Sequence, residues 1–138
     1  MRVFLDSSVL LAASASATGA SREVIIRARH EGWILLKTPY VIHEVTMNLD
    51  HFPPDAIKAF DEIRPGLQVV ADVLTIDRVV VFTPAKDRPI LFSALAWADV
   101  LLTLDKHDFG ALLGGEFYGL KVMRPGLFLA GQSGLPDP

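Results

Sequence analysis

Short apolar runs alternate with stretches of helical periodicity along most of the chain. Each run is continuous rather than alternating between apolar and polar residues, which is typical of strands buried on both faces of a parallel sheet. The pattern therefore predicts an α/β fold, with a mainly parallel sheet covered by helices on both faces. The predicted strands are Val3–Leu5, Trp33–Lys37, Val79–Phe82, Val100–Leu104 and Leu120–Met123.

Capping residues and apolar spacing place helices between these strands. Thr38 followed by Pro39 is a helix-start signal, because the hydroxyl can cap the helix and proline fits its first position. A helical stretch that opens near Asp55 is expected to be interrupted at Pro65 and to resume toward Leu74. The other predicted helices cover Val9–Ala15 behind a serine cap, Ser21–Gly32 and Asp87–Ala98.

Composition indicates one ordinary domain. The 138 residues are 51% hydrophobic and 21% charged, which is enough apolar material for one packed core. We expect a single domain over residues 1–130 and a loose C-terminal tail over 131–138. The sequence has no cysteine and so offers no disulfide or thiolate metal site, and we expect a cytoplasmic protein. Its net charge of −3 gives no broad basic field, so binding of nucleic acid would depend on local positive groups or a bound cation.

The opening segment, MRVFLDSSVLLAASASA, has the outline of an export signal: a basic residue, an apolar run and a small-residue end. Asp6 places a charge inside what would be the apolar region, and this argues against export. We therefore expect the segment to stay on the chain as a strand and a helix. The longest uncharged run, Ser7 to Ser21, is too short and too polar to span a bilayer, so no membrane span is expected.

Acidic residues stand at or near the ends of several predicted elements. Asp6 closes the first strand and Asp105 the fourth, and the carboxyl ends of parallel strands meet at one edge of a sheet, where ligands gather. Asp87 extends the apolar face of the helix that follows it. Glu44 lies in the second turn of its helix, outside the apolar stripe that begins at Ile42. If these carboxylates converge, they need a cation, and Mg²⁺ or Mn²⁺ is the expected species.

Each acid also has a plain structural interpretation. Asp87 would serve only as a helix cap, and Glu44 would be an exposed residue on its helix. An acid at the end of a strand, such as Asp6 or Asp105, does not by itself define a site. Asp99 falls at the opposite edge of the sheet, so we interpret it as structural.

Four segments contain the acids in order along the chain: VFLDSS at 3–8, PYVIHEV at 39–45, DRPILFSALA at 87–96 and ADVLLTLDKHDF at 98–109. Together they resemble the PIN-domain ribonucleases, including the VapC-like toxins of toxin–antitoxin pairs. The resemblance extends to residues 122–125 and covers nearly the whole chain. It implies a three-layer α/β/α PIN-like fold with a central, mainly parallel sheet of four or five strands.

The resemblance also implies an activity and a set of site residues. The activity is Mg²⁺- or Mn²⁺-dependent hydrolysis of RNA, and the implied catalytic and metal-binding acids are Asp6, Glu44, Asp87 and Asp105. Thr103 and Ser8 would support them, although Ser8 stands where the family commonly has asparagine. Asp108 sits where some members place a further acid. The implied partners are an RNA substrate, a small antitoxin protein and a second copy in a homodimer.

Basic residues flank two of these acids. Lys86 and Arg88 surround Asp87, and Lys106 follows Asp105. We expect these three cations to form a rim that contacts RNA phosphates. The same charges would also suit a solvated loop and a helix start.

Two other functions remain open from the sequence. One is a non-catalytic PIN-like interaction module. The other is a Mg²⁺-dependent phosphotransfer or phosphatase domain, which also places an aspartate after the first strand. The haloacid type of that class needs a second aspartate two residues later, where this chain has Ser8.

Overall fold

The computed structural model describes residues 1–74 and 88–132. Within these ranges, six strands form one sheet in the order β3-β2-β1-β4-β6-β5. The first five strands in that order run parallel to their neighbours, and β5 pairs antiparallel with β6. The strands are β1 (Arg2–Leu5), β2 (Ile34–Lys37), β3 (Gln68–Val69), β4 (Val100–Leu102), β5 (Gly115–Phe117) and β6 (Leu120–Met123).

Helices cover both faces of the sheet and complete the predicted three-layer α/β/α arrangement. On one side α1 packs against α2, α3 and α4, and α2 also packs against α7. On the other side α5 packs against β1 and β4. The helices are α1 (Ser7–Ala15), α2 (Ala20–Glu31), α3 (Pro39–Leu49), α4 (Pro54–Ile63), α5 (Arg88–Trp97), α6 (Lys106–Phe109) and α7 (Pro125–Gln132), with a 3₁₀ turn at Arg64–Gly66.

The core lies around the two central strands. Phe4 and Leu5 of β1, and Leu101 and Leu102 of β4, are fully buried because helices cover them on both sides. This explains why the sequence shows these strands as continuous apolar runs. At the amino edge of the sheet, the Arg2 amide donates to Oδ2 of Asp99 across 2.8 Å. This contact agrees with the structural interpretation of Asp99.

The predicted return to helix between Pro65 and Leu74 is wrong. The chain ends its helix at Ile63, makes the 3₁₀ turn and then adds Gln68–Val69 as the edge strand β3. Two physical features explain this. Proline cannot donate the backbone hydrogen bond of a continuing helix, and the main chain here pairs instead with β2 at Leu36 and Lys37.

The sheet also has more strands than the four or five predicted. The additional strand β5 belongs to a tight hairpin with β6, in which Phe117 lies opposite Leu120. The two connecting residues, Tyr118 and Gly119, have φ values of 51° and 89°. Positive φ at both positions gives the turn that matches the twist of a two-residue hairpin.

Three sequence predictions fall on residues 75–87 and lie outside the described residues. They are the strand Val79–Phe82, the acid Asp87 and the cation Lys86. In the part of the chain that the structure describes, no single helix is long and apolar enough to cross a membrane, and α1 and α2 pass that test only as a pair bent by 97°.

Candidate active site

The ends of β1 and β4 lie side by side at the carboxyl edge of the sheet. Leu5 of β1 pairs with Leu102 of β4, and the Asp6 amide donates to the Leu102 carbonyl oxygen across 3.0 Å. The next residues along the two strands are Asp6 and Thr103, so the register alone brings them together. Both residues are buried.

Asp6 is the most enclosed carboxylate at this edge, with 3% of its surface exposed. Its Oδ2 accepts hydrogen bonds from Oγ of Ser8 at 2.6 Å and from Oγ1 of Thr103 at 2.8 Å. Each hydroxyl has a single proton, so both protons are committed to the same carboxylate oxygen. Oδ2 of Asp6 is therefore held as an acceptor.

The same two hydroxyls also fix the chain that leads to Asp105. Oγ of Ser8 accepts from the Leu104 amide at 3.0 Å, and Oγ1 of Thr103 accepts from the Asp105 amide at 3.0 Å. Each hydroxyl thus donates to Asp6 and accepts from the segment after β4. Ser8 and Thr103 therefore connect Asp6 with the segment that carries Asp105 through short, directional hydrogen bonds.

Burial raises the pKa of the Asp6 carboxyl, because a charged carboxylate loses its hydration inside the protein. Hydrogen bonds from Ser8 and Thr103 lower that pKa, and the nearby charge of Asp105 raises it again. The net direction is upward. Asp6 is therefore a buried acid whose ionised form would gain from a nearby cation.

Glu44 reaches this site from α3 through a serine on α1. Oγ of Ser7 lies 3.4 Å from Oδ1 of Asp6 and 3.4 Å from Oε1 of Glu44. The hydroxyl therefore lies between the two carboxyl groups at the long limit of hydrogen bonding, and its single proton is donated to one of them at a time. The buried stripe of α3 is formed by Val41, Val45 and Leu49, which leaves Glu44 half-buried beside it.

Asp105 caps the short helix α6. Its Oδ1 accepts from the amides of His107 and Asp108, both at 3.0 Å, which fixes the side chain at the helix start. Asp108 pairs through its own Oδ1 with Nδ1 of His107 at 2.9 Å. The structure thus places Asp108 one turn beyond Asp105, as part of the same local network.

The structure places the predicted site residues as follows. Asp6, Ser8, Thr103, Glu44 and Asp105 are linked by the contacts above. Arg88 is exposed at the start of α5, and Lys106 is exposed on α6. Asp87 and Lys86 lie outside the described residues. Among residues 1–74 and 88–132, no three His, Cys, Asp or Glu side chains form a group ready to hold a metal ion.

The serine predicted as the cap of the first helix has a different role. The N-cap position of α1 is Asp6, and its side chain makes no capping hydrogen bond. Ser7 and Ser8 fall inside the first turn instead, where their hydroxyls meet carboxylates. The N-cap carboxylate is engaged with Ser8 and Thr103, which is why it does not cap the helix.

Sequence reasoning missed two polar residues near this edge. No pattern in the sequence distinguishes Ser7, although its contact with Asp6 and Glu44 makes it the link between β1 and α3. The sequence predicts Lys37 only as the end of a strand, yet just 3% of its surface is exposed. The available signal for Lys37 was a charged residue closing an apolar run directly before the Thr38-Pro39 helix start.

Known structures share this architecture. The crystal structure of PAE2754 from Pyrobaculum aerophilum covers 96% of this chain and 90% of its own length, with a TM-score of 0.61 and 16% identity. The fold is PIN-like. The crystal structure of Mycobacterium tuberculosis VapC20, a sarcin-ricin loop cleaving toxin, covers 79% of this chain and 94% of its own, with a TM-score of 0.46 and 17% identity.

The comparisons of sequence are negative. No family model matches the chain, and no curated protein matches it significantly. At 16% identity, the structural likeness to PAE2754 shows a shared fold and not a shared activity. The case for a function therefore depends on the residues at the carboxyl edge.

Proposed function

We propose that this protein is a divalent-metal-dependent endoribonuclease with its active site at the carboxyl ends of β1 and β4. The observation that carries the proposal is the buried Asp6, with one oxygen held by two hydroxyls and with the charge of Asp105 nearby. A compensating positive charge favours the ionised form of such a buried acid.

The donor chemistry fits Mg²⁺ or Mn²⁺. The available side chains are carboxylates and hydroxyls, which are the hard oxygen donors that these ions prefer, and the chain has no cysteine. The residues proposed to hold the ion are Asp6, Glu44 and Asp105, together with Asp87, which directly precedes Arg88 in the sequence. When bound, the ion would lower the pKa of a water molecule and neutralise charge on the scissile phosphate.

The other described residues would orient these acids. Ser8 and Thr103 hold Asp6, Ser7 connects Asp6 with Glu44, and the amides of His107 and Asp108 hold Asp105. In the reaction, a P–O bond forms to a water oxygen while one phosphodiester P–O bond breaks, and the leaving oxygen takes up a proton. No side-chain nucleophile is required.

The finer parts of the proposal concern RNA and protein partners. Arg88 and Lys106 are exposed and would contact phosphates beside the site, together with Lys86. By its likeness to toxins of this fold, we propose that the protein acts as the toxin of a toxin–antitoxin pair, that a small antitoxin restrains it and that it forms a homodimer.

The proposal is tested with purified protein and single-stranded RNA. We expect cleavage in Mn²⁺, none in excess chelator and none by an Asp105→Asn variant that retains the native melting temperature. Asp61→Asn is the matched control, because Asp61 is exposed on α4, away from the site. Cleavage that persists in chelator or in Asp105→Asn would contradict the proposal, whereas absence of both Mn²⁺ binding and cleavage would favour the non-catalytic module.

A further inference from the structure

A cavity of about 450 Å³ opens beside α3. Its walls come from the ends of β2 and β3, the first two turns of α3 and the residue after α4. The polar side chains in these walls belong to Lys37, His43, Thr46 and Arg64, and the remaining walls are Pro39, Ile42 and Val69. Among the described residues that line it, none is acidic.

Lys37 is the unusual member of this group. It is a buried lysine whose Nζ donates to the Arg64 carbonyl oxygen at 3.1 Å. Within residues 1–74 and 88–132, no carboxylate lies within ion-pair distance of it. An ammonium can donate three hydrogen bonds, and burial of an unpaired charge is costly. The Lys37 pKa is lowered by burial and by the charge of Arg64, in agreement with this geometry.

The start of α3 lies beside the cavity, at Pro39. The N-terminal end of a helix carries a partial positive charge that favours anions. Its first amides are already occupied, however. The Tyr40 amide donates to Oδ2 of Asp72 at 3.0 Å, and the Val41 amide donates to Oγ1 of Thr38 at 3.4 Å. An anion in the cavity would therefore be held by side chains.

We propose that this cavity binds a phosphate group through Lys37 and Arg64, with Thr46 and His43 as further hydrogen-bond donors. The phosphate comes either from the backbone of bound RNA or from free phosphate. The RNA source rests on the proposed function and deepens it, because α3 carries both the cavity residue His43 and the adjoining Glu44. A strand anchored in the cavity would be positioned along the helix that leads to the active site.

Binding of a labelled single-stranded RNA, measured by fluorescence anisotropy in excess chelator, tests the RNA source. Lys37→Met removes the charge and keeps the length of the side chain, and Arg64→Gln changes an exposed side chain while its carbonyl remains. We expect each variant to bind about tenfold more weakly, and the slope of log affinity against log salt to fall by about 0.7 for each lost contact.

Lys58→Met is the matched control, because Lys58 is exposed on α4, outside the cavity. We expect it to change the affinity for RNA by less than about twofold. Replacing a buried, unpaired charge by an apolar side chain of similar length is not expected to destabilise the fold, and a melting curve of Lys37→Met checks this. If that variant fails to fold, Arg64→Gln carries the test.

Calorimetric titration with inorganic phosphate tests the other source. The cavity would be assigned to free phosphate by two results together. The wild type gives a heat of phosphate binding that disappears in Lys37→Met and Arg64→Gln, and neither variant changes the affinity for RNA. If both variants match the wild type in RNA binding and in phosphate titration, the proposal is overturned.

These measurements are independent of catalysis. The chelator prevents metal-dependent cleavage, so a protein that never cleaves RNA can still show binding that depends on Lys37. The converse result is also distinguishable. If RNA is cleaved in Mn²⁺ but Lys37→Met and Arg64→Gln bind RNA and phosphate as the wild type does, the proposed function stands and the phosphate site is contradicted.

Discussion

Thr103 donates its hydroxyl proton to Oδ2 of Asp6 across 2.8 Å and accepts the Asp105 amide on the same oxygen at 3.0 Å. One side chain thus connects the acid that ends β1 with the acid that follows β4. The contact is buried, so its loss would leave polar groups without partners. The first prediction concerns this link.

Thr103→Val keeps the shape of the side chain and removes its hydroxyl. Asp6 would then lose a donor and the Asp105 amide an acceptor, so we expect the free energy of unfolding to fall by about 1–3 kcal/mol. Urea denaturation measures this change. Thr18→Val is the control, because Thr18 is exposed, and it should change stability by less than about 0.5 kcal/mol. Equal effects of the two substitutions would show that the Thr103 contacts do not stabilise the fold.

Asp6→Asn is expected to change how stability depends on pH. Burial raises the pKa of Asp6 in the folded state, so the native protein binds its proton more tightly than the unfolded chain, whose ordinary value is near 3.8. In chelator, the contribution of Asp6 to stability is therefore lost as pH rises from that value through the folded-state pKa. An Asn carbonyl can accept from Ser8 and Thr103, so the fold should survive.

The measurement is the difference in unfolding free energy between Asp6→Asn and wild type at a series of pH values. We expect the difference to move in favour of the variant as pH rises above about 4. Asp61→Asn, at an exposed position of α4, should give a nearly flat difference. A flat difference for Asp6→Asn as well would mean that Asp6 titrates normally in the folded protein.

Divalent ions should stabilise the folded protein through the same acid. An ion that binds the native state and not the unfolded chain raises the melting temperature as its concentration rises. At a hundred times its dissociation constant, it adds about 2.7 kcal/mol to the free energy of unfolding. We expect Mn²⁺ to raise the melting temperature of wild type and of Asp61→Asn, and to have little effect on Asp6→Asn. Chelator should reverse the shift. An equal Mn²⁺ shift in all three proteins would place the ion elsewhere.

Gly119, in the turn of the β5–β6 hairpin, should be sensitive to substitution by alanine. Its φ of 89° is a conformation that costs other residues about 1–2 kcal/mol, so Gly119→Ala should lower the free energy of unfolding by that amount. Gly126, in α7, has open space where a side chain would stand, and its φ is not positive. Gly126→Ala should leave stability unchanged or raise it slightly. Urea denaturation compares the two, and an equal loss in both would contradict the role of the hairpin turn.

The central part of the fold could be predicted from the sequence because β1 and β4 are buried on both faces. Full burial makes a strand a continuous apolar run, and Asp6 then stands out as the charge that ends it. The edge strands gave no such signal. Gln68 and Val69 are both exposed, and β5 has a single buried residue, Phe117, so neither segment shows a pattern that distinguishes a strand from a loop.

The site could be predicted only in part, for a related reason. Parallel strands share a carboxyl edge, so the pairing of Leu5 with Leu102 was enough to bring Asp6 near Thr103. The contact of Ser7 with Glu44 depends on how α1 packs against α3, and no local sequence pattern predicts that packing. The enclosure of Lys37 likewise depends on the chain after α4. The catalytic roles of Asp6, Glu44, Asp87 and Asp105 stay predictions.

The central claim is that Asp6 supports metal-dependent hydrolysis of RNA, and the rate of RNA cleavage by wild type and Asp6→Asn in Mn²⁺ tests it most directly. Loss of a group that hydrogen-bonds to a metal ligand typically costs about 10–100-fold, so we expect substitution of a ligand itself to lower the rate at least about a hundredfold. Because water is the proposed nucleophile, the products should carry no 2′,3′-cyclic phosphate. Equal rates in the two proteins, or cyclic phosphate ends, would contradict the account.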